Sequence, residues 1–228
     1  MRKWLAAALF CGVAASCTST ANEPSSFAAS LKPVAVPGEV IAAELAFARA
    51  ARTEGQWTAF AKFAAHDAVM FVPGAVLAKD WLKGRANPAK AVAWQSHNVW
   101  LSCDGSLAVT KGAWQAADGS FGDFTTVWQR QGGGKYRWLM DQGRILEEPL
   151  EAPEMISAIV ADCSGAPKSD LGADLVADRV DGADYGSISD DSTLYWNVQV
   201  KPDNSRKVTA NYWDGDKWQP AFSAEFFN

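Results

Sequence analysis

Four side chains along this sequence are the candidates for proton transfer: His66, His97, Asp123 and Asp141. An imidazole titrates near neutral pH, so either histidine could act as acid or base there. A carboxyl group in a dry pocket can be pushed up to the same range. His97 lies in the strand-like run AVAWQSHNVWLSC, where strict alternation groups it with Gln95, Val99, Leu101 and Cys103. Asp141 would share a face with Arg137 and Leu139. That leaves open either a pocket acid or an ion pair with Arg137. Asp123 lies near a turn and is either a pocket acid or a solvated one. His66 and Asp67 fall where a second helix should end, where a histidine could simply cap the helix.

Around these groups stand many tryptophans, ten of the eleven lying after residue 16. Trp94, Trp100, Trp114, Trp128 and Trp138 are the candidates for the aromatic wall of a ligand site. Pockets are mostly apolar with few polar groups, although tryptophans at such positions also fill cores. With two histidines and no CxxC or similar ligand spacing, no metal site is expected. No motif implies a cofactor.

The elements that must position these groups follow from periodicity. Residues 38–54 read as a helix with Val40, Ile41, Leu45 and Ala48 inward and Glu44, Arg49 and Arg52 toward water. Trp57, Phe60, Ala61 and Ala64 mark a second short helix. Ala68 to Val72 is strand-like up to Pro73-Gly74, and a third helix spans Lys79 to Arg85. Then the period changes. Ala91–Cys103, Leu107–Ala117, Phe121–Gln131 and Lys135–Gln142 are separated by Asp-Gly pairs and a Gly triplet, the signals of an antiparallel meander. Both faces of these strands are partly apolar, as in a sheet covered by helices on one side and curled around a cavity. Residues 150–161 suggest a further helix. Thr193–Val200, Lys207–Trp213 and Trp218–Phe226 are strand-like, and either extend the main sheet or form a small lobe.

Residues 55–74 (GQWTAFAKFAAHDAVMFVPG) and 107–143 (LAVTKGAWQAADGSFGDFTTVWQRQGGGKYRWLMDQG) resemble the NTF2-like superfamily, in particular its SnoaL and DUF4440 branches and ketosteroid isomerase. The resemblance covers roughly residues 38–145. It implies an α+β cone, a curved antiparallel sheet packed against amino-terminal helices, followed here by a β-rich extension. It also implies acid or base groups inside the cone. The arrangements of ketosteroid isomerase and of the cyclases do not map onto this sequence.

The chain opens with a positive start, Arg2-Lys3, an apolar run over residues 4–15, and Ser16-Cys17. This is a secretory signal, too short to span a bilayer, which needs about 20 residues. Val13 to Cys17 resembles the cleavage box of bacterial lipoproteins, which implies lipid on Cys17 and, with Thr18 next, outer-membrane sorting in a Gram-negative envelope. The alternative is a secreted protein cut after Ala15 or Ser16. The expected organisation is therefore 1–16 signal peptide, 17–35 tether, 36–148 NTF2-like domain and 149–228 extension. Cys103 and Cys163 form one disulfide in an oxidising compartment, or remain two buried thiols.

Without residues 1–16, which hold two basic and no acidic residues, the formal charge moves from -5 to -7. That argues against nucleic acid, whose binding needs clustered Lys and Arg. The partners expected are membrane lipid through Cys17, a small apolar or amphipathic ligand, and a second copy through the sheet. The function expected is binding without chemistry. The alternative is a general acid–base enzyme (an isomerase, dehydratase or cyclase) acting on a small apolar substrate.

Overall fold

A computed structural model describes residues 35–164 and 185–227. The expected signal peptide, Cys17 and the tether up to residue 34 lie outside the described residues. Ala35 already belongs to the fold: it is buried, and its N–H donates to the Cys103 carbonyl at 2.8 Å.

Helix α1 (Pro37–Glu54) starts with proline in its first turn and stops at Gly55, whose φ of 105° few other residues tolerate. Helix α2 (Gln56–Phe63) follows at once. Its exposed first N–H groups are satisfied from a distance, by Asn87 Oδ1, which accepts from the N–H of Trp57 at 2.7 Å and of Thr58 at 3.1 Å. Strand β1 (Ala64–Phe71), strand β2 (Ala75–Leu77) and the short helix α3 (Ala78–Leu82) complete the first third.

The meander is formed by β3 (Ala93–Leu101), β4 (Leu107–Gln115), β5 (Phe121–Arg130) and β6 (Tyr136–Ile145). Residues 150–161 are not helical. Their second half is a strand, β7 (Ser157–Val160), that pairs in parallel with β3. The first sheet therefore has seven strands in the order β2-β1-β6-β5-β4-β3-β7, and it reaches beyond the boundary expected at residue 148. It is mixed rather than wholly antiparallel, because β1 also runs parallel to β6.

The carboxy-terminal strands form their own sheet of four: β8 (Tyr185–Ile188), β9 (Leu194–Val200), β10 (Arg206–Trp213) and β11 (Trp218–Phe226). Helices cover one face of the first sheet, around a core that includes Val40, Phe47, Trp128 and Trp138. The second sheet covers the other face, where Val109, Val127 and Met140 meet Leu194, Val198 and Val208. The result is an α+β fold of three layers, helices on sheet on sheet.

Cys103, just after β3, and Cys163, just after β7, are joined by a disulfide with Cα atoms 5.3 Å apart. The bridge sits where the parallel β3–β7 pair ends, so it fastens an edge strand of four residues.

Candidate functional site

Alternation along β5 divides the first sheet's two faces. Phe124, Thr126 and Trp128 point toward the helices, and Asp123, Thr125 and Val127 toward the second sheet. On the helix side, where α1 and α2 spread from the sheet, lies a cavity of about 180 Å³. Phe47, Phe60, Trp94, Trp114 and Phe124 form its aromatic walls. The rings brace one another, Phe47 standing edge-on to Phe60 at 4.8 Å and to Trp94 at 4.9 Å between centroids.

Trp114 lies against two glycines. A Cβ on Gly122 would stand 2.6 Å from the indole ring and 1.8 Å from the Arg144 carbonyl oxygen, and one on Gly143 would stand 3.0 Å from its Nε1. The indole N–H donates to the Asp123 carbonyl at 2.9 Å, which fixes the ring. Trp94 is directly opposite Trp114 in the β3–β4 ladder. Both also border a second, shallower groove of about 490 Å³ that runs outward past Phe121 and Leu150.

Asp141, Gln56 and Gln142 are the polar residues bordering the cavity, and the first two serve the helix-facing side. Asp141 stands opposite Thr126, whose hydroxyl donates to Asp141 Oδ2 at 2.7 Å. Burial pushes the Asp141 carboxyl up to about 7; the Thr126 hydrogen bond opposes this, and the negative charge of Glu44 adds to it. Gln56 opens α2 beside the cavity. Its Oε1 accepts from the Val92 N–H at 3.0 Å, and its NH2 group donates to no described residue.

Glu44 lies one layer deeper, and the sequence reading missed it. Only 3% exposed, it accepts from Trp94 Nε1 at 2.8 Å, Thr110 Oγ1 at 2.7 Å and Trp128 Nε1 at 3.0 Å. Burial raises its pKa against those three hydrogen bonds. Leu45, expected inward, is 54% exposed. The signal was present: Glu44 falls between Val40 and Phe47 on the stripe that Ala51 continues.

The other candidates are dispersed. His97 is the extra residue of a β-bulge between Ser96 and Asn98. The bulge leaves Trp94 and Ser96 facing the helices, together with Val99 and Leu101 beyond it, and puts the imidazole beside Lys111 on the opposite face. Partial burial and that lysine both lower its pKa. A second bulge, between Val127 and Trp128 opposite Leu139, separates Asp141 from the face of Arg137, whose guanidinium donates instead to the Lys62 carbonyl.

Asp123 is 2% exposed on the sheet's other face, held by Lys111 Nζ at 2.6 Å and Arg144 Nε at 2.9 Å. An acid held by two cations on the far side of the sheet is not placed to serve this cavity. His66 is exposed within β1, since α2 ends earlier, at Phe63. Trp128 and Trp138 are core residues, and Trp100 packs between the two sheets near Phe222. Of the five expected wall tryptophans, Trp94 and Trp114 line the cavity. Among the described residues no group of three or more His, Cys, Asp or Glu side chains could hold a metal.

No family model matches the sequence, and no curated protein matches it. Similar solved structures include a candidate ketosteroid isomerase from Parabacteroides distasonis (14% identity, TM-score 0.40, covering 50% of this chain and 89% of that one). Another is a candidate aromatic ring hydroxylase from Novosphingobium aromaticivorans (14% identity, TM-score 0.36, 50% and 91%). A third is an NTF2-like protein of unknown function from Mesorhizobium loti (14% identity, TM-score 0.32, 50% and 96%).

Proposed function

We propose that the cavity takes a small apolar molecule carrying a carbonyl group and that Asp141 moves a proton on it. The observation that carries this reading is a carboxyl group held near pH 7 in a cavity with largely aromatic walls. Such a group is ionised often enough to act as a base and basic enough to hold the proton it takes. The Asp141 carboxylate removes a proton from the carbon beside the carbonyl. The electron pair moves onto the carbonyl oxygen, where the Gln56 NH2 group donates a hydrogen bond. Return of that proton to a conjugated carbon completes an isomerisation; when Asp141 first trades its proton with solvent, return to either carbon completes an exchange.

The test is deuterium uptake from D2O into small cyclic ketones and enones, followed by NMR. The protein accelerates uptake into at least one of them, and Asp141→Asn abolishes the acceleration. No acceleration across the panel would sink the catalytic reading.

Binding without chemistry is the second reading, and one observation favours it. The indole N–H groups of Trp94 and Trp114 are both committed within the protein, so Gln56 offers a single neutral donor to the ligand. A ketone that binds equally well to the wild type and to Asp141→Asn, with no exchange in either, is its signature.

The leader sequence supports placing this activity on the periplasmic side of a membrane, with lipid on Cys17. Among the described residues no helix is long and apolar enough to cross a membrane. Labelled fatty acid should enter the wild-type chain and not Cys17→Ser.

A further inference from the structure

Arg206, at the start of β10, is 7% exposed, yet among the described residues no carboxylate forms an ion pair with it. Its neighbours are neutral. Nε donates to Gln142 Oε1 at 2.8 Å, Nη1 donates to the Pro73 carbonyl at 3.3 Å, and the guanidinium lies 4.4 Å from the Phe71 ring and 5.2 Å from the Phe226 ring. The two aromatic faces offset part of the cost of burying the charge, and the rest is uncompensated. A second polar group beside it is also unsatisfied: Gln142 Nε2 is buried without a hydrogen-bond partner.

The guanidinium adjoins an open feature, whereas Gln142 borders the Asp141 cavity. Arg206 borders a groove of about 590 Å³ between the two sheets, open to solvent, with Phe71 and Phe226 in its wall. Ile145 and Phe227 also line it and are 73% and 75% exposed. Arg144 lies there as well, but it is paired with Asp123, which it shares with Lys111. Glu147 and Glu225 stand exposed on the rim, where water screens them.

We infer that this groove is a second ligand site, separate from the Asp141 cavity, for an anion attached to an apolar body such as an aliphatic carboxylate. The carboxylate accepts from the remaining Arg206 N–H groups, a charge-assisted contact in a place where water competes poorly. The apolar body covers Ile145, Phe226 and Phe227. A free inorganic anion would satisfy the guanidinium and leave those side chains bare.

The test is titration calorimetry on the full chain carrying Cys17→Ser, with decanoate, decanol and inorganic phosphate as probes. Decanoate binds once per chain, and decanol and phosphate bind at least about tenfold more weakly. Arg206→Met, shown folded by circular dichroism, loses decanoate binding. Arg206→Lys keeps the charge but not the planar fork, and weakens binding about tenfold; it decides the question if the methionine variant does not fold. Asp141→Asn binds decanoate as the wild type does. The inference is overturned by no decanoate binding, by equal affinity for decanol or phosphate, or by unchanged affinity in both folded Arg206 variants. A changed affinity in Asp141→Asn, in either direction, would overturn it too, by placing the carboxylate in the inner cavity.

Discussion

Thr126 and Asp141 face each other across the β5–β6 ladder, and the threonine hydroxyl donates to Asp141 Oδ2 at 2.7 Å. That contact favours the carboxylate, while burial favours the neutral acid and prevails, leaving the group near 7. A base with this pKa makes exchange activity rise as pH passes through about 7. Thr126→Val removes the contact that favours ionisation and moves the midpoint upward. A pH–rate profile of the two proteins checks both statements.

Folding should show the opposite dependence on pH. The Asp141 carboxyl titrates near 3.8 when unperturbed and near 7 in the folded chain. Between those values the folded state holds a proton that the unfolded state has lost. The contribution to stability is full below about 4 and declines as pH rises toward 7, by at most about 4 kcal/mol. Asp141→Asn should flatten this decline, as measured by urea denaturation at pH 5 and pH 8. A variant as pH-sensitive as the wild type would assign the decline to another group, Glu44 being the first to examine.

Glu44 ties α1 to three residues of the meander, and its charge acts on Asp141. Glu44→Gln keeps the shape and removes the charge, so the midpoint of the pH–rate profile should fall. Glu44→Ala leaves the Trp94 indole N–H without its acceptor, while Trp128 Nε1 keeps Thr110 Oγ1 at 3.2 Å, and should cost about 1–3 kcal/mol of stability. Denaturant unfolding distinguishes the two variants. If Glu44→Gln leaves the profile unmoved, the coupling between the two acids is wrong.

The meander was legible in the sequence because its turns are written locally, in Asp104-Gly105, Asp118-Gly119 and Gly132 to Gly134. What sets the faces was not. A bulge adds one residue and inverts the alternation beyond it, and nothing in the neighbours of His97 or Leu139 announces one. Glu44 was assigned to water because it is charged, yet its partners are 50, 66 and 84 residues away. β7 is not visible in the sequence because its pairing with β3 is parallel and distant, so no turn advertises it.

The Cys103–Cys163 bridge closes a separation of 60 residues. On chain-entropy grounds its loss should cost about 4 kcal/mol. The paired substitution Cys103→Ser with Cys163→Ser should lower the denaturation midpoint by the same amount as reduction of the wild type. Because the bridge secures β7 at the sheet edge, hydrogen exchange should rise first in Ser157–Val160. Uniform loosening of the whole chain would contradict that assignment.

Gly122 provides the most direct control over the cavity, because its missing side chain makes room for Trp114. Any Cβ there would meet the Arg144 carbonyl oxygen at 1.8 Å and the indole ring at 2.6 Å. The ring is the freer of the two neighbours, since the Arg144 carbonyl belongs to the sheet backbone. Gly122→Ala should therefore force the strand pair apart and tilt Trp114 into the cavity, breaking its bond to the Asp123 carbonyl. Expected results are a stability loss of about 1–3 kcal/mol from overpacking, a shift in tryptophan emission, and loss of ketone binding. Trp114→Phe in the same background relieves the contact with the ring but not with the carbonyl. It should restore binding in part, while stability stays low. Full recovery of both would mean that the glycine serves only the ring, and no recovery that it serves only the backbone.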